Sequence, residues 1–472
     1  MTTNNTNNTT DTTIITALAD SYKFSHSSQY PEMKSMFDYM ESRGGKYPET
    51  VFVGLQYYIK KYLSNPITQS DVNKAARMAK AHGVPFDKKG WDYIVQDLNG
   101  VLPVKIRAVR EGSVIPVKNV LMTIESTDTE VPWIAGWLET LLMKVWYPTT
   151  IATKSYFVRK MLEKYGAPEW AQFAFHNFGD RGSSSVESAA IGGMAHLTQF
   201  MGTDNFNSLF MIEDFYNQSE ESPAGYSVFA TEHSTTTANA DGSVKKEITF
   251  VERMLIENPD APIMSFVADS YDVYNFTDKV TQPNSWIRET IENRPNQKFV
   301  IRPDSGEPLA VIGKMLDIMK ENDIVFTRNE DGKIVFRDFG ILWGDGITPD
   351  VIEEIIKMVM RKGFAAENMV FGSGGDIMQN INRDTQRFAI KCSSITRPNG
   401  TEQDVFKDPI TDPGKTSKKG RITTYYNQES KTYFVDRVGK DFKSSVDVLE
   451  TVFENGELYI DLSIDDIRKM SR

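Results

Sequence analysis

The sequence contains very little cysteine and histidine. Cys392 is the only cysteine among 472 residues, and there are five histidines. A single cysteine excludes disulfide bonds within the chain and cysteine-based zinc sites, and no two histidines have the spacing of a metal-binding pair. The composition fits a reducing compartment, and we expect a cytoplasmic protein.

The sequence also lacks a long hydrophobic run and an excess of positive charge. The most apolar window, residues 131–147, is interrupted by Glu139 and Lys144 and is shorter than the roughly 20 residues that span a bilayer. The formal net charge is -11, whereas general nucleic-acid binding needs a broadly basic face. We therefore expect neither a membrane nor a nucleic acid as a partner. Residues 1–13 are polar, without the segments of a signal peptide, and are expected to form a flexible tail.

From about residue 170 the sequence repeats a short apolar run, a polar turn and a helical pattern. Six such runs lie at residues 171–175, around 228, and at 263–268, 299–301, 341–343 and 369–371. Strands that alternate with helices form parallel sheets, and six in succession favour a closed barrel over an open doubly wound sheet. The sequence thus predicts an α/β fold with an irregular parallel β/α barrel over residues 166–384. In either sheet, ligands bind at the carboxyl ends of the strands.

The two ends of the chain have a different pattern. Residues 101–129 show the proline and glycine punctuation of a small antiparallel sheet, and short strands return after about residue 385. We predict that residues 14–165 and 385–472 form one discontinuous α+β companion domain. Two domains also suit a chain that is too long for one ordinary core.

The predicted barrel strands end in acids, arginines and glycines. The run GYSVFATEHS places His233, with Glu232 beside it, at the end of an extended apolar segment. A lone histidine is most often a core residue bonded to a carboxylate, but this position favours a functional role. The other residues expected at this face are Arg181, Asp269, Asp272, Arg302, Asp304, Gly344, Asp345, Gly346, Gly372, Gly374 and Gly375. The carboxylates could bind a metal or sugar hydroxyls, and the arginines and glycine loops beside them could bind phosphates. This combination indicates a phosphorylated sugar as substrate.

Three further features each allow a structural and a functional interpretation. Residues 372–375 (GSGG) resemble a phosphate cradle before a helix, but glycines of tight turns look the same. Residues 415–421 (KTSKKGR), with Lys407, form either a solvated loop or a surface that attracts polyphosphate. Tyr22 is either a half-buried aromatic residue or part of a site.

A series of motifs resembles the nicotinamide phosphoribosyltransferase family. In order they are ADSYK, FHNFGDRG, MGTD, GYSVFATEHST, ADSYDVYN, IRPDSGEP, GDG, FGSGG, FKDP and SKKGR, and the match runs from about residue 14 to the end. The resemblance implies a type II phosphoribosyltransferase that works as a head-to-tail homodimer with active sites at the interface. It implies that the enzyme transfers the phosphoribosyl group of 5-phosphoribosyl-1-pyrophosphate to nicotinamide with the help of Mg2+. It also implies optional ATP hydrolysis through a phosphohistidine at His233.

The resemblance also gives roles to residues at the matching positions. Phe178 and Tyr22 of the partner subunit would sandwich the nicotinamide ring, and Asp204 would accept a hydrogen bond from the carboxamide. An amide supplies this donor, whereas nicotinate would place a carboxylate against Asp204. The remaining assignments are Arg181, Ser227, Val228 and Ala230 for the base; Asp304 and Asp345 for ribose or metal, with Arg302 also substrate-binding; Gly344, Gly374 and Gly375 for the 5'-phosphate; Arg43, Arg383, Lys391, Lys407 and Lys415 for pyrophosphate or ATP; and Asp269 and Glu232 as groups that orient His233.

The sequence departs from the family pattern at three positions and leaves other functions open. Asn177 and Asp180 stand where Asp and an aromatic residue are common, and Gly340 stands where an arginine often lines the entrance to the base pocket. The alternatives are a nicotinate phosphoribosyltransferase, a sugar hydrolase or aldolase that uses Asp304 and Asp345 as a carboxylate pair or a lysine as a Schiff base, and a non-enzymatic interaction protein.

Overall fold

The computed structural model describes residues 14–219, 221–411 and 415–472, and the chain divides into two compact units. The first unit comprises the residues up to Thr153, Glu213–Asn217 and Asn382–Arg472, and the second comprises Lys154–Ile212 and Gln218–Ile381. The predicted flexible tail, residues 1–13, lies outside the described residues. Among the helices that are described, none combines the length and hydrophobicity needed to cross a bilayer.

A six-stranded parallel sheet forms the centre of the second unit. In spatial order its strands are Phe175–Asn177, Met369–Ser373, Phe339–Trp343, Lys298–Arg302, Ile263–Val267 and Phe229–Ala230. Single parallel bridges join Asn177 to Thr203 and Gly202 to Tyr226, so residues 202–203 connect the two edges. The sheet therefore curls into an irregular barrel, which confirms the predicted α/β class, and a strand is present at each of the six predicted runs.

The barrel strands are short and almost continuously apolar, as expected for parallel strands that are covered on both faces. All five residues of Phe339–Trp343 are buried. The rings of Phe266 and Phe299, on adjacent strands, stack with centroids 4.8 Å apart. This packing fixes the strands relative to one another and so fixes the positions of the residues that follow them. The second unit also contains the antiparallel pair Phe326–Arg328 and Ile334–Phe336.

A seven-stranded antiparallel sheet dominates the first unit. Its strands, in spatial order, are Glu402–Asp404, Phe388–Thr396, Ser35–Ser42, Val120–Ser126, Val104–Val109, Leu449–Glu454 and Glu457–Leu458. Strands from both ends of the chain thus share one sheet, with Tyr39 opposite Lys391. Smaller sheets comprise Thr432–Arg437, Ile422–Asn427 and Ser445–Asp447, and the pair Glu49–Val51 and Val114–Pro116.

The helices vary widely in length. Those of seven or more residues are Gln69–His82, Lys88–Gln96, Trp146–Leu162, Val186–Leu197, Asn207–Tyr216, His233–Asn239, Val244–Glu257, Val273–Thr281, Trp286–Glu292, Pro308–Glu321, Pro349–Arg361 and Ile464–Met470. The shorter α-helices are His26–Gln29, Leu55–Tyr58, Ile134–Trp137, Glu139–Leu142, Pro168–Ala171 and Gly375–Met378. The 3-10 helices are Ile15–Ala17, Ser21–Ser25, Met143–Val145, Asp180–Gly182, Ala366–Asn368 and Arg383–Thr385, and Ile59–Leu63 is a π-helix.

Local sequence signals determine several helix ends. The Thr348 side chain accepts a hydrogen bond from the amide of Val351, and Pro349 occupies the first turn, as expected for a threonine N-cap followed by proline. For the helix after the first barrel strand, the sequence predicts a start at Ser185 with a capping box of Ser184 and Glu187. The helix begins one residue later, at Val186. Its capping box joins Ser185 and Ser188, because the Ser185 hydroxyl, and not that of Ser184, reaches the amide of the third helical residue.

Candidate active site

His233 begins the helix that follows the barrel strand Phe229–Ala230. Its Nε2 lies 3.1 Å from Oδ1 of Asp269, whose side chain is only 5% exposed. The other Asp269 oxygen accepts the amide of Asp304 at 3.0 Å and the hydroxyl of Ser305. A carboxylate held on both sides orients the imidazole through Nε2, and no described residue forms a hydrogen bond with Nδ1. The Glu232 carboxylate accepts the Ser234 hydroxyl, so Asp269 is the group that orients His233.

Arg302 joins the ends of two barrel strands. Its Nη2 donates to the carbonyl of Thr231 at 2.9 Å, and its Nε is buried without a partner among the described residues. The Thr231 hydroxyl in turn accepts the amide of Val267 at 3.0 Å. Arg302 therefore braces the strand that leads to His233 and retains an unused donor in the same region.

Asp204 and Ser227 form a polar pair at the mouth of the barrel. The Ser227 hydroxyl donates to Asp204 Oδ1 at 2.6 Å, and the Asp204 amide donates to the Asn177 carbonyl at 3.0 Å. One carboxylate oxygen is thus engaged, and the other is available to a donor on a ligand. His176 is buried nearby; burial lowers its pKa, against the opposing charge of Asp204, so the Asp204 carboxylate has no cationic histidine as a partner.

Phe178 lies over the ends of two neighbouring strands. A Cβ at Gly372 would lie 1.9 Å from Phe178 Cε2, and a Cβ at Gly344 would lie 3.6 Å from it. The Phe178 amide donates to the Ser373 carbonyl at 2.9 Å. Gly372 is therefore required because the aromatic ring occupies the space of its side chain. Arg181 follows on the exposed turn Asp180–Gly182.

Two of the glycines predicted to hold the sugar phosphate lie close to Phe178, and one of them is also close to Asp304. A Cβ on Gly344 would lie 3.4 Å from Asp304 Oδ1, and a Cβ on Gly374 would lie 3.5 Å from the Phe178 carbonyl oxygen. Asp345 is exposed, and its carbonyl accepts the indole N–H of Trp343 at 2.7 Å. Gly375, also predicted for the phosphate, begins the helix Gly375–Met378, and Val228 and Ala230, which were predicted to contact the base, lie at the strand Phe229–Ala230. The described residues contain no group of three or more acidic, histidine or cysteine side chains that could bind a metal without help from a ligand.

A cavity of about 550 Å³ adjoins Ser227 and Val228 in the second unit. Lys298 and Gly340 face each other in its wall, since a Cβ on Gly340 would lie 3.2 Å from Lys298 Cε. Burial lowers the pKa of Lys298, with the charge of Asp338 acting in the opposite direction. The lysine forms no ion pair with any residue that the structure describes. Gly340 stands where family members often have an arginine, and the Lys298 side chain lies beside this position.

Glu247 is a residue of this region that the sequence interpretation missed. It is completely buried on the helix Val244–Glu257, and neither carboxylate oxygen has a hydrogen-bond partner among the described residues. Burial, followed by repulsion from Asp269, raises its pKa to about 7, while the Ser270 hydroxyl and His233 oppose the shift. The sequence contains one signal for this residue, because Glu247 lies on the same helix face as the apolar residues Val244, Phe250 and Val251, which are buried.

A cationic pocket of about 460 Å³ lies in the first unit. It is lined by Arg43, Arg383, Asp384, Arg387, Phe388, Ala389, Lys391 and Lys415. Four predicted anion-binding residues thus come together, with Arg387 as a member that the motifs did not identify. Lys407 is exposed and lies outside this lining.

The rest of the basic stretch has structural partners. Lys418 forms an ion pair with Glu41, and Arg421 forms one with Glu125. These two cations therefore hold the loop against the antiparallel sheet. The first unit also carries Tyr22, which is 61% exposed in the turn Ser21–Ser25.

Comparisons with known proteins identify relatives that match most of this chain. The family model of the nicotinate phosphoribosyltransferase (NAPRTase) family matches residues 173–457, and that of the nicotinamide phosphoribosyltransferase N-terminal domain matches residues 14–106. A nicotinamide phosphoribosyltransferase of Xanthomonas campestris pv. campestris (strain 8004) is 41% identical over 463 residues, covering 95% of this chain and 96% of the relative. One from Acinetobacter baylyi (strain ATCC 33305 / BD413 / ADP1) is 31% identical over 497 residues, covering 95% of each chain.

Solved structures show the same fold at low sequence identity. Nicotinate-nucleotide pyrophosphorylase from Pyrococcus furiosus superposes with a TM-score of 0.61 at 16% identity, covering 97% of this chain and 94% of that one. Human nicotinic acid phosphoribosyltransferase has a TM-score of 0.55 at 13% identity, covering 96% and 92%. At these identities the likeness concerns the fold alone.

Proposed function

The chain belongs to the nicotinamide phosphoribosyltransferase family, and from this premise we propose that it transfers the phosphoribosyl group of 5-phosphoribosyl-1-pyrophosphate to nicotinamide. The products would be nicotinamide mononucleotide and pyrophosphate, a step of NAD salvage. The observation that carries the proposal is the convergence of Asp204, Phe178, Asp304 and His233 at the carboxyl ends of the barrel strands.

Base selection would depend on Asp204. The Ser227 hydroxyl occupies one oxygen of this carboxylate, and the nicotinamide NH2 would donate to the other. Nicotinate has no such donor and would place a second negative charge against Asp204, which disfavours it. Phe178, held over Gly372, supplies a flat apolar surface for the pyridine ring.

The chemistry would depend on charge stabilisation. The pyridine nitrogen is itself the nucleophile at C1 of the ribose, so no strong base is needed. As the bond to pyrophosphate breaks, the ribose would gain oxocarbenium character, which the Asp304 and Asp345 carboxylates would stabilise.

Two carboxylates also fit Mg2+, which commonly binds through one or two acids together with substrate phosphates. No described residue donates a hydrogen bond to the Asp304 or Asp345 side chain, so both are free for this role. The metal would neutralise part of the charge on the departing pyrophosphate.

ATP coupling would use His233. Its Nδ1 would attack the γ-phosphorus of ATP, forming an N–P bond while the bond to ADP breaks, and Asp269 would stabilise the ring through Nε2. The cationic pocket with Arg43, Arg383, Lys391 and Lys415 has the charge needed for pyrophosphate or ATP.

A homodimer in the cytoplasm would complete the site. Val186 is 74% and Phe206 68% exposed, and Phe206 packs edge-to-face with Phe210, which is also exposed. Exposed apolar clusters of this kind commonly lie in subunit interfaces. Tyr22 of the partner subunit would close the base pocket opposite Phe178.

A comparison of the two bases tests the proposal. Purified protein is incubated with 5-phosphoribosyl-1-pyrophosphate, Mg2+ and either nicotinamide or nicotinate, and the mononucleotide and pyrophosphate are quantified. We expect turnover with nicotinamide and a loss of discrimination in Asp204→Ala, with exposed Asp214→Ala as the matched control. Preference for nicotinate in the parent protein would establish the alternative function, and pyrophosphate release without either base would indicate a hydrolase.

A further inference from the structure

A single carboxylate in the first unit contacts two lysines that have different surroundings. Glu139 Oε2 accepts a hydrogen bond from Lys23 Nζ at 2.7 Å, and Glu139 Oε1 lies 3.5 Å from Lys391 Nζ. Lys23 follows Tyr22 directly, whereas Lys391 lines the cationic pocket. Glu139 therefore lies between the turn that carries an exposed aromatic ring and the pocket proposed for pyrophosphate.

The contact with Lys23 is firm. The Lys23 side chain is only 4% exposed, and its Nζ also donates to the Gly136 carbonyl at 2.7 Å. The neighbouring Asp20 carboxylate accepts the Thr140 hydroxyl at 2.9 Å. The turn Ser21–Ser25 is thus anchored to the start of the helix Glu139–Leu142 at two points, while the Tyr22 ring projects from it.

The contact with Lys391 is looser. This side chain is 37% exposed, and its Nζ donates to the Ile390 carbonyl at 2.7 Å, so the 3.5 Å approach to Glu139 is its longer interaction. Arg43, Arg383 and Arg387 line the same pocket. A polyphosphate there would offer Lys391 shorter charge-assisted bonds than Glu139 does.

Asp38 is the other acid near these lysines. It is buried, and burial, together with the negative charge of Glu139, raises its pKa to about 7. Among the residues that the structure describes, Glu139 is the acid that forms an ion pair with both lysines.

We infer that Glu139 is a positioning residue that links occupancy of the cationic pocket to the hold on the Tyr22 turn. The inference rests on the proposed function and extends it. When pyrophosphate draws Lys391 away, the Glu139 carboxylate interacts with Lys23 alone, and the turn that presents Tyr22 is held more firmly. Because binding free energies are reciprocal, nicotinamide and the diphosphate group would each strengthen the binding of the other.

The test measures two affinities in the full-length protein by titration calorimetry. Inorganic pyrophosphate is titrated alone, and nicotinamide is titrated with and without saturating pyrophosphate. In the parent protein we expect pyrophosphate to tighten nicotinamide binding roughly 5-fold, a usual size for coupling between sites. In Glu139→Gln we expect nicotinamide to bind about 10-fold more weakly, because buried Lys23 loses its counter-charge.

The same variant should bind pyrophosphate about 3-fold more tightly, because Lys391 no longer interacts with a competing carboxylate. The coupling should disappear. Weaker nicotinamide binding together with tighter pyrophosphate binding distinguishes a positioning role from a structural one, since general damage to the fold would weaken the binding of both ligands. The matched control is Glu130→Gln, an exposed acid that precedes the same helical region.

A second variant covers the case in which Glu139→Gln does not fold. Lys391→Met should weaken pyrophosphate binding and abolish the coupling, and nicotinamide should bind roughly 5-fold more tightly without pyrophosphate than it binds the parent, because Glu139 then interacts with Lys23 alone. Coupling that persists in either variant, or a joint loss of both affinities in Glu139→Gln, overturns the inference. If nicotinamide does not bind the parent protein, the proposed function fails. Tighter pyrophosphate binding in Glu139→Gln would still establish the link to Lys391, and unchanged or weaker binding would refute it.

Discussion

Glu247 provides a prediction that depends on the burial of its carboxylate. Replacing it by glutamine preserves the shape of the side chain and removes the ionisable group. Its pKa rises from an ordinary value of 4.5 to about 7 in the folded protein. Between these pH values the unfolded chain has released a proton that the folded chain retains, so stability falls as pH rises and the loss is complete above about 7.

The magnitude follows from the size of this pKa change. Each pKa unit corresponds to about 1.4 kcal/mol, so the ionisation costs up to about 3 kcal/mol at pH 8. At roughly 2 to 4 °C per kcal/mol for a unit of this size, Glu247→Gln should raise the melting temperature by several degrees at pH 8. Below pH 4.5 the Glu247 carboxyl is neutral in both the folded and the unfolded parent protein. The parent and Glu247→Gln should then melt at the same temperature.

Differential scanning calorimetry from pH 4 to 8 provides the assay. The quantity to follow is the difference in melting temperature between Glu247→Gln and the parent, because other titrating groups cancel in it. Glu257→Gln, an exposed acid on the same helix, is the control and should show no such trend. A difference that is constant with pH, or a variant that is less stable at pH 8 than at pH 5 relative to the parent, would refute the reasoning.

The remaining predictions concern the site itself. His233→Ala should lose stimulation by ATP while keeping part of its ATP-independent turnover, measured as mononucleotide formed with and without ATP; retained stimulation would exclude the phosphohistidine. Tyr22→Ala should raise the nicotinamide KM about 10-fold through lost stacking and burial, and mixing it with His233→Ala protomers should restore ATP-stimulated turnover, which a site within one subunit would not allow. Gly372→Ala should lower kcat/KM roughly 100-fold, because the added methyl group displaces the Phe178 ring; an unchanged value would show that this ring does not contact the base. Lys298→Met should raise the melting temperature, since it removes an unpaired ammonium from an apolar cavity and stabilises by about 1 kcal/mol, and a lower melting temperature would show that Lys298 has a stabilising partner.

Much of the second unit could be predicted because its order is local. Strand, turn and helix alternate along the chain, and the residues that follow parallel strands lie at one edge of the sheet, so the sequence pattern predicts that His233, Asp269 and Asp304 lie together. The strand positions and the Thr348 cap followed from the same short-range patterns.

The side-chain contacts that orient the site residues could not be predicted from these local patterns. Asp269 orients His233 and Glu232 does not, although Glu232 is its neighbour in sequence, because the strand ends bring residues 36 positions apart into contact. The tight turn leaves Glu232 facing Ser234.

The fold class, the family and the types of residue at the strand ends could all be inferred from the amino-acid sequence. Which of these groups share a partner depends on tertiary contacts. Lys23 and Lys391 meet at Glu139 across separations of 116 and 252 residues. The hydrophobic periodicity of a single helix or strand does not predict such a pairing, because sheet topology and packing bring together side chains that are distant along the chain.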